Sequence, residues 1–168
     1  NSQGLAMTKE ASEKYGIKTI SALQKNASEI RFASTTAFAE IADGLPLLEE
    51  HYGEFNFKET RVFDVSLKYQ VLLNGEMDLT VAFLTDGQLA DDRFVVLEDD
   101  KHVWPPYNIA PIVRDETLEQ YPEIEEILNN VSQALDNETM RFLNSQVDIE
   151  QKDYEAVARE FYESHIKE

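Results

Sequence analysis

The chain has 168 residues, is 42% hydrophobic and 29% charged, and carries a formal net charge of -18. That length supports one ordinary core or two small lobes, and so acidic a surface excludes nucleic acid as a partner, because phosphate contacts need a basic face. With no cysteine, disulfides, thiolate metal sites and cysteine nucleophiles are excluded, and no apolar run is long enough to span a bilayer.

The chain opens on Asn1-Ser2-Gln3 with a strand almost at once and no signal peptide, as expected of a piece of a longer protein. Residues 4–8 are a short apolar run and read as a strand. Residues 9–15 are helical in composition, and Gly16 closes them. Ser21 is the expected cap of a short helix, SALQKNA. Residues 30–34 read as a second strand. Thr35 and Thr36 follow, where a strand-to-helix turn exposes hydroxyls and backbone N–H groups. Asp43-Gly44-Leu45-Pro46 opens a helix to Tyr52, with Asp43 as cap and Gly53 as stop.

Residues 57–63 read as a third strand. Asp64 caps a helix expected to bury Val65, Tyr69, Leu72 and Leu73, and Asn74-Gly75 ends it. Residues 79–85 are continuously apolar, the pattern of a central parallel strand. Asp86-Gly87 turns into a short helix, and residues 94–97 are the next strand. Pro105 and Pro106 then hold Tyr107 on a stiff, extended stalk. Residues 108–114 are strand-like, with Pro111 marking an edge or bulge.

Everything after Arg114 reads as helix. Pro122 sits near the start of a helix with Ile124, Ile127, Leu128, Val131 and Leu135 on one stripe. Asp136 or Asn137 caps the next, which turns Met140, Leu143 and Val147 inward. Asp153 caps the last, with Val157, Ala158 and Phe161 inward. The alternation before residue 97 argues an α/β fold with a parallel-rich sheet flanked by helices. The helical tail needs a partner for its stripes.

Catalytic constellations are not evident. His51, His102 and His165 have no metal-ligand spacing, and no serine lies in Gly-x-Ser-x-Gly or Ser-x-x-Lys. Asp91-Asp92 and Glu98-Asp99-Asp100 lack the alternating ligands and glycine of a calcium loop. No cofactor or metal site is expected. The aromatics say more. Phe83 and Tyr107 fall where strands of an open α/β sheet end, the edge at which ligands bind. Two ring faces there suit a methylated ammonium, with Thr85 and Asp86 shaping the turn after Phe83. Core packing of Phe83, and a Trp-Pro-Pro-Tyr turn that only closes a core, fit the same residues. Two other readings stay open: an acidic α/β enzyme using carboxylates around Asp86 and Asp99, and a ligand-free interaction domain.

An ordered set of motifs resembles one family. It comprises Asp43-Gly44-Leu45-Pro46, Tyr69-Gln70, Asp78, Thr85-Asp86, Leu97-Glu98-Asp99-Asp100-Lys101, Pro105-Pro106-Tyr107-Asn108 with Ala110-Pro111, and Met140-x-x-Leu143-Asn144. The set resembles the substrate-binding proteins of ABC importers for glycine betaine, carnitine and choline, in their C-terminal part. The resemblance implies a two-lobed receptor with a periplasmic-binding-protein-like (type II) fold, not an enzyme. Residues 1–107 would be its second lobe. Residues 108–168 would return to a first lobe, and about one hundred residues of that lobe precede the match.

The resemblance also implies partners: a small quaternary ammonium solute and an ABC permease subunit. It implies a place at the extracellular face of a bacterial membrane, as lipoprotein or permease fusion, or in the periplasm. Tyr107 matches one cage tyrosine of the family, and Phe83 stands where another is usual. Gln3 stands where a third cage tyrosine is found, and Ile41 where some members carry an arginine for the solute carboxylate. An isolated piece exposing the stripes of its tail is expected to form a homodimer or exchange segments.

Overall fold

The computed structural model describes residues 1–167, which form two compact units. One comprises Ser2–Leu84 and Asp91–Pro106; the other comprises Asn1, Thr85–Ala90 and the chain from Tyr107 on.

The first unit is a five-stranded mixed sheet, β1 (Gln3–Thr8), β2 (Arg31–Ser34), β3 (Glu59–Val62), β4 (Leu79–Phe83) and β5 (Phe94–Val96), in the order β3-β2-β4-β1-β5. β2 runs parallel to β3 and to β4, whereas β1 runs antiparallel to both of its neighbours, β4 and β5. Only β1 therefore opposes the common direction. The carboxyl end of β4 and the amino end of β1 meet at one edge of the sheet.

Local sequence accounts for the helices α1 (Lys9–Tyr15), α2 (Ile20–Asn26), α3 (Thr36–Glu40), α4 (Leu45–Tyr52) and α5 (Gln70–Leu73). The hydroxyls of Thr8, Thr19 and Thr35 each accept a backbone N–H at a helix start. Gly16 ends α1 at a φ of 66°, a left-handed conformation cheap only for glycine. Two expected caps are corrected. Thr19, not Ser21, caps α2, and α4 is capped by Gly44 with no side-chain bond from Asp43. Asp64 caps only a single 3-10 turn, Val65–Leu67, before α5 begins. That break resets the helical phase. Val65 and Leu67 turn to solvent, whereas Lys68, Tyr69, Val71 and Leu72 are buried.

The core of this unit joins Leu5, Met7, Leu79 and Val81 of the sheet to Ile17, Ile20, Leu23, Phe38 and Leu48 of the helices and their loops, with Phe32 fully buried among them. Each large apolar side chain so removed from water is worth about 1.5–3 kcal/mol. The start of the β2–β4 pairing is pinned by charge. Asp78 accepts the backbone N–H and Nε of Arg31 on one oxygen, at 3.0 and 2.8 Å, and Nη2 on the other at 2.8 Å.

The second unit is helical: α6 (Asp115–Gln120), α7 (Glu123–Gln133), α8 (Asn137–Asp148) and α9 (Tyr154–His165), with the 3-10 turn Gly87–Ala90 packed on α8. Asp136 and Asp153 cap α8 and α9 through their carboxylates. Val157 and Phe161 are buried as expected, while Ala158 is exposed and α7 buries no residue. Residues 108–114 form no strand: Ile109 and Ile112 are 71% and 97% exposed. Pro111 removes a donor, and no described strand lies beside this run to pair with it.

Candidate functional site

The sheet unit builds one face of a rim at the end of β4. Phe83 is the last residue of that strand and is 44% exposed, although the four residues before it are buried. It is paired in register with Gln3, the first residue of β1. Residues directly opposite on an antiparallel ladder project to the same face, so the Gln3 and Phe83 side chains leave the sheet as neighbours on one face. Gln3 donates from Nε2 to the main-chain oxygen of Asp43 at 2.9 Å, and the indole N–H of Trp104 donates to the same oxygen at 2.8 Å. This gives the Asp-Gly-Leu-Pro motif a physical role. The carbonyl of Asp43, not its carboxylate, ties β1 to the loop carrying Trp104.

Phe83 already has a cation near it. The Lys68 ammonium lies 5.6 Å from its ring centroid and 5.1 Å from that of Tyr69. Lys68 itself is buried. Sequence reasoning missed it, because a lysine beside an apolar stripe reads as solvent-exposed, and residue type alone does not signal its burial. Trp104 was legible only as part of an aromatic loop. Its contact with Asp43, far away in sequence, has no local signal.

In the helical unit, Thr85 and Asp86 lie in the turn that leads into Gly87–Ala90, beyond the end of β4 rather than within the strand. The Thr85 carbonyl accepts Nδ2 of Asn144 from α8 at 2.8 Å. Gly87 packs directly on α8, and a Cβ there would meet the backbone of Asn144 and Ser145 at 2.8 Å. Asn144 and Gly87 thus fix this turn together. Tyr107 is half-buried, and its backbone N–H donates to the Asn1 carbonyl at 2.7 Å. Gln3 and Phe83 therefore belong to one unit, and Thr85, Asp86 and Tyr107 to the other. No group of three or more His, Asp or Glu side chains suited to a metal occurs among the described residues.

A mixed sheet flanked by helices, with a single reversed strand beside β4, defines the class of a type II periplasmic binding protein. Over residues 1–164 the chain matches the model of the substrate-binding domain of ABC-type glycine betaine transport systems, and it belongs to that family. The family is one of substrate-binding proteins, not enzymes.

Among similar proteins, a glycine-betaine-binding protein of Pseudomonas aeruginosa is 37% identical, over 98% of this chain and 56% of its own length. An ergothioneine transport permease/ergothioneine-binding protein of Helicobacter pylori is 32% identical, over 97% of this chain and 29% of its own length. Among solved structures, a glycine betaine/carnitine/choline ABC transporter protein superposes with a TM-score of 0.87 at 30% identity, over 98% of this chain and 60% of that one. The chain spans about half the length of the glycine-betaine- and carnitine-binding relatives it matches.

Proposed function

We propose that this chain is part of the solute receptor of an ABC importer for quaternary ammonium compounds such as glycine betaine, carnitine or choline. Residues 1–107 act as one lobe, and residues 108–168 return to the other. The observation that carries the reading is Phe83, a large ring held half-exposed at the carboxyl edge of a central strand, beside Gln3. An aromatic face there attracts a methylated ammonium, because the ring quadrupole is negative on its face. Tyr107 supplies a second ring, Thr85 and Asp86 shape the turn after Phe83, and Gln3 lines the mouth. Lobe closure on the solute is read by the permease at the extracytoplasmic face, whether the receptor is a lipoprotein, a permease fusion or periplasmic. Expressed alone, the chain pairs with itself through exposed apolar side chains such as Ile112, Ile127 and Phe142.

Calorimetric titration of the full-length protein with betaine, carnitine and choline tests the reading. Binding of at least one, weakened by Tyr107→Ala, is the expected result. No heat with any of them, and none changed by Tyr107→Ala, would refute it.

A further inference from the structure

Gln3 is only 6% exposed, and its side chain makes one hydrogen bond, from Nε2 to the Asp43 carbonyl. A carbonyl oxygen only accepts, so the end of the amide facing it must be the NH2 end. The orientation of the amide is therefore fixed chemically. Its other end, Oε1, has no hydrogen-bond partner among the described residues. None of the fully buried side-chain oxygens or nitrogens there goes unpartnered, so Oε1 is reached by solvent. The register places this acceptor on the sheet face that carries the Phe83 ring, with Cβ atoms about 5 Å apart.

We propose that Gln3 is a specificity-determining residue, selecting ammonium solutes that carry a hydrogen-bond donor on or near the cationic head. A hydroxyl two carbons from the nitrogen, as in choline, or an N–H on an incompletely methylated amine would serve. The inference rests on the solute reading above. Before binding, water satisfies Oε1. A solute with a donor replaces that water bond, whereas a fully methylated head with only acceptor oxygens displaces the water and leaves Oε1 unpaired. A solute carboxylate turned toward Oε1 would set two acceptors against each other. The amide cannot flip to accommodate it without abandoning Asp43.

Two matched ligand pairs test this by calorimetry on the full-length protein: choline against its methyl ether, and dimethylglycine against glycine betaine. In each pair the two solutes differ by one donor. The donor-bearing member of at least one pair should bind about tenfold tighter to the wild type. Gln3→Met keeps the bulk of the side chain and removes the acceptor, and should abolish that preference. Equal affinities within both pairs, or a preference that survives in Gln3→Met, would overturn the proposal while leaving the solute reading intact. No binding of any of the four would remove the solute reading and this proposal with it. Should Gln3→Met fail to fold, the wild-type comparison alone decides.

Discussion

Tyr52 donates its phenolic proton to Asp99 at 2.5 Å, and the other carboxylate oxygen of Asp99 accepts the backbone N–H groups of Val103 and Trp104 at 2.7 and 3.0 Å. The Tyr52 oxygen in turn accepts the backbone N–H of Lys101 at 2.8 Å. Burial, then the hydrogen bond to Asp99, pushes the Tyr52 phenol above its ordinary value, so it remains a donor throughout the physiological range. Asp99 therefore closes the loop that carries Trp104. Asp99→Ala leaves these donors without their acceptor and should cost about 2 kcal/mol of unfolding free energy in urea titration. Tyr52→Phe should cost about 1 kcal/mol. An Asp99→Ala protein as stable as wild type would show that the loop does not depend on this carboxylate.

The Arg31–Asp78 pair makes the fold sensitive to acid. Burial alone would raise the Asp78 carboxyl, but the hydrogen bonds and charge of Arg31 outweigh it and hold the group below its ordinary range. The unfolded chain returns to a value near 4, so it binds more protons than the folded chain in the acid range. The stabilisation is complete above about pH 4 and is lost as pH falls through the depressed folded value. Urea midpoints measured from pH 7 down to pH 2 should fall less steeply for Asp78→Asn than for wild type. Parallel curves would mean that Asp78 contributes nothing to the acid transition.

Much of the sheet unit was legible because its signals are local. Gly16, Gly53 and Gly75 each mark the end of a helix with positive φ, and the apolar run at 79–83 is a buried strand. The direction of β1 was not legible, because its partners β4 and β5 come late in the chain and alternation of elements carries no sense of pairing. The burial of Lys68 was hidden because lysine is a residue type expected at the surface. Phe83 could be placed near a sheet edge from sequence, but its pairing with Gln3 is a matter of register, and register is set by tertiary packing. Residues 108–114 have strand composition and form none, since composition supplies no partner.

Gly87 tests how tightly the turn after β4 is held. The added methyl of Gly87→Ala would meet backbone atoms of Asn144 and Ser145 at 2.8–2.9 Å, and backbone cannot rotate aside as a side-chain tip can. The 3-10 turn must move off α8, breaking the Asn144–Thr85 hydrogen bond. A loss of about 2 kcal/mol is expected from overpacking of this kind, read as a lower denaturation midpoint. Asn144→Ala should cost about 1 kcal/mol, for the bond alone. A Gly87→Ala protein with unchanged stability would mean that the turn can shift off α8 without cost.

The last prediction separates attraction of a cation from mere shape at Phe83. Choline and 3,3-dimethylbutanol have nearly the same outline, but only choline is charged. If the ring quadrupole of Phe83 contributes, the full-length protein should bind choline about tenfold more tightly than the neutral alcohol, as a desolvated cation–π contact warrants. Phe83→Tyr keeps the ring face and should preserve the ratio, whereas Phe83→Leu keeps apolar bulk and should shrink it. Both ligands carry the same hydroxyl, so any bond to Gln3 cancels in the comparison. Equal binding of choline and its neutral analogue to wild type would reduce the Phe83 rim to a hydrophobic surface.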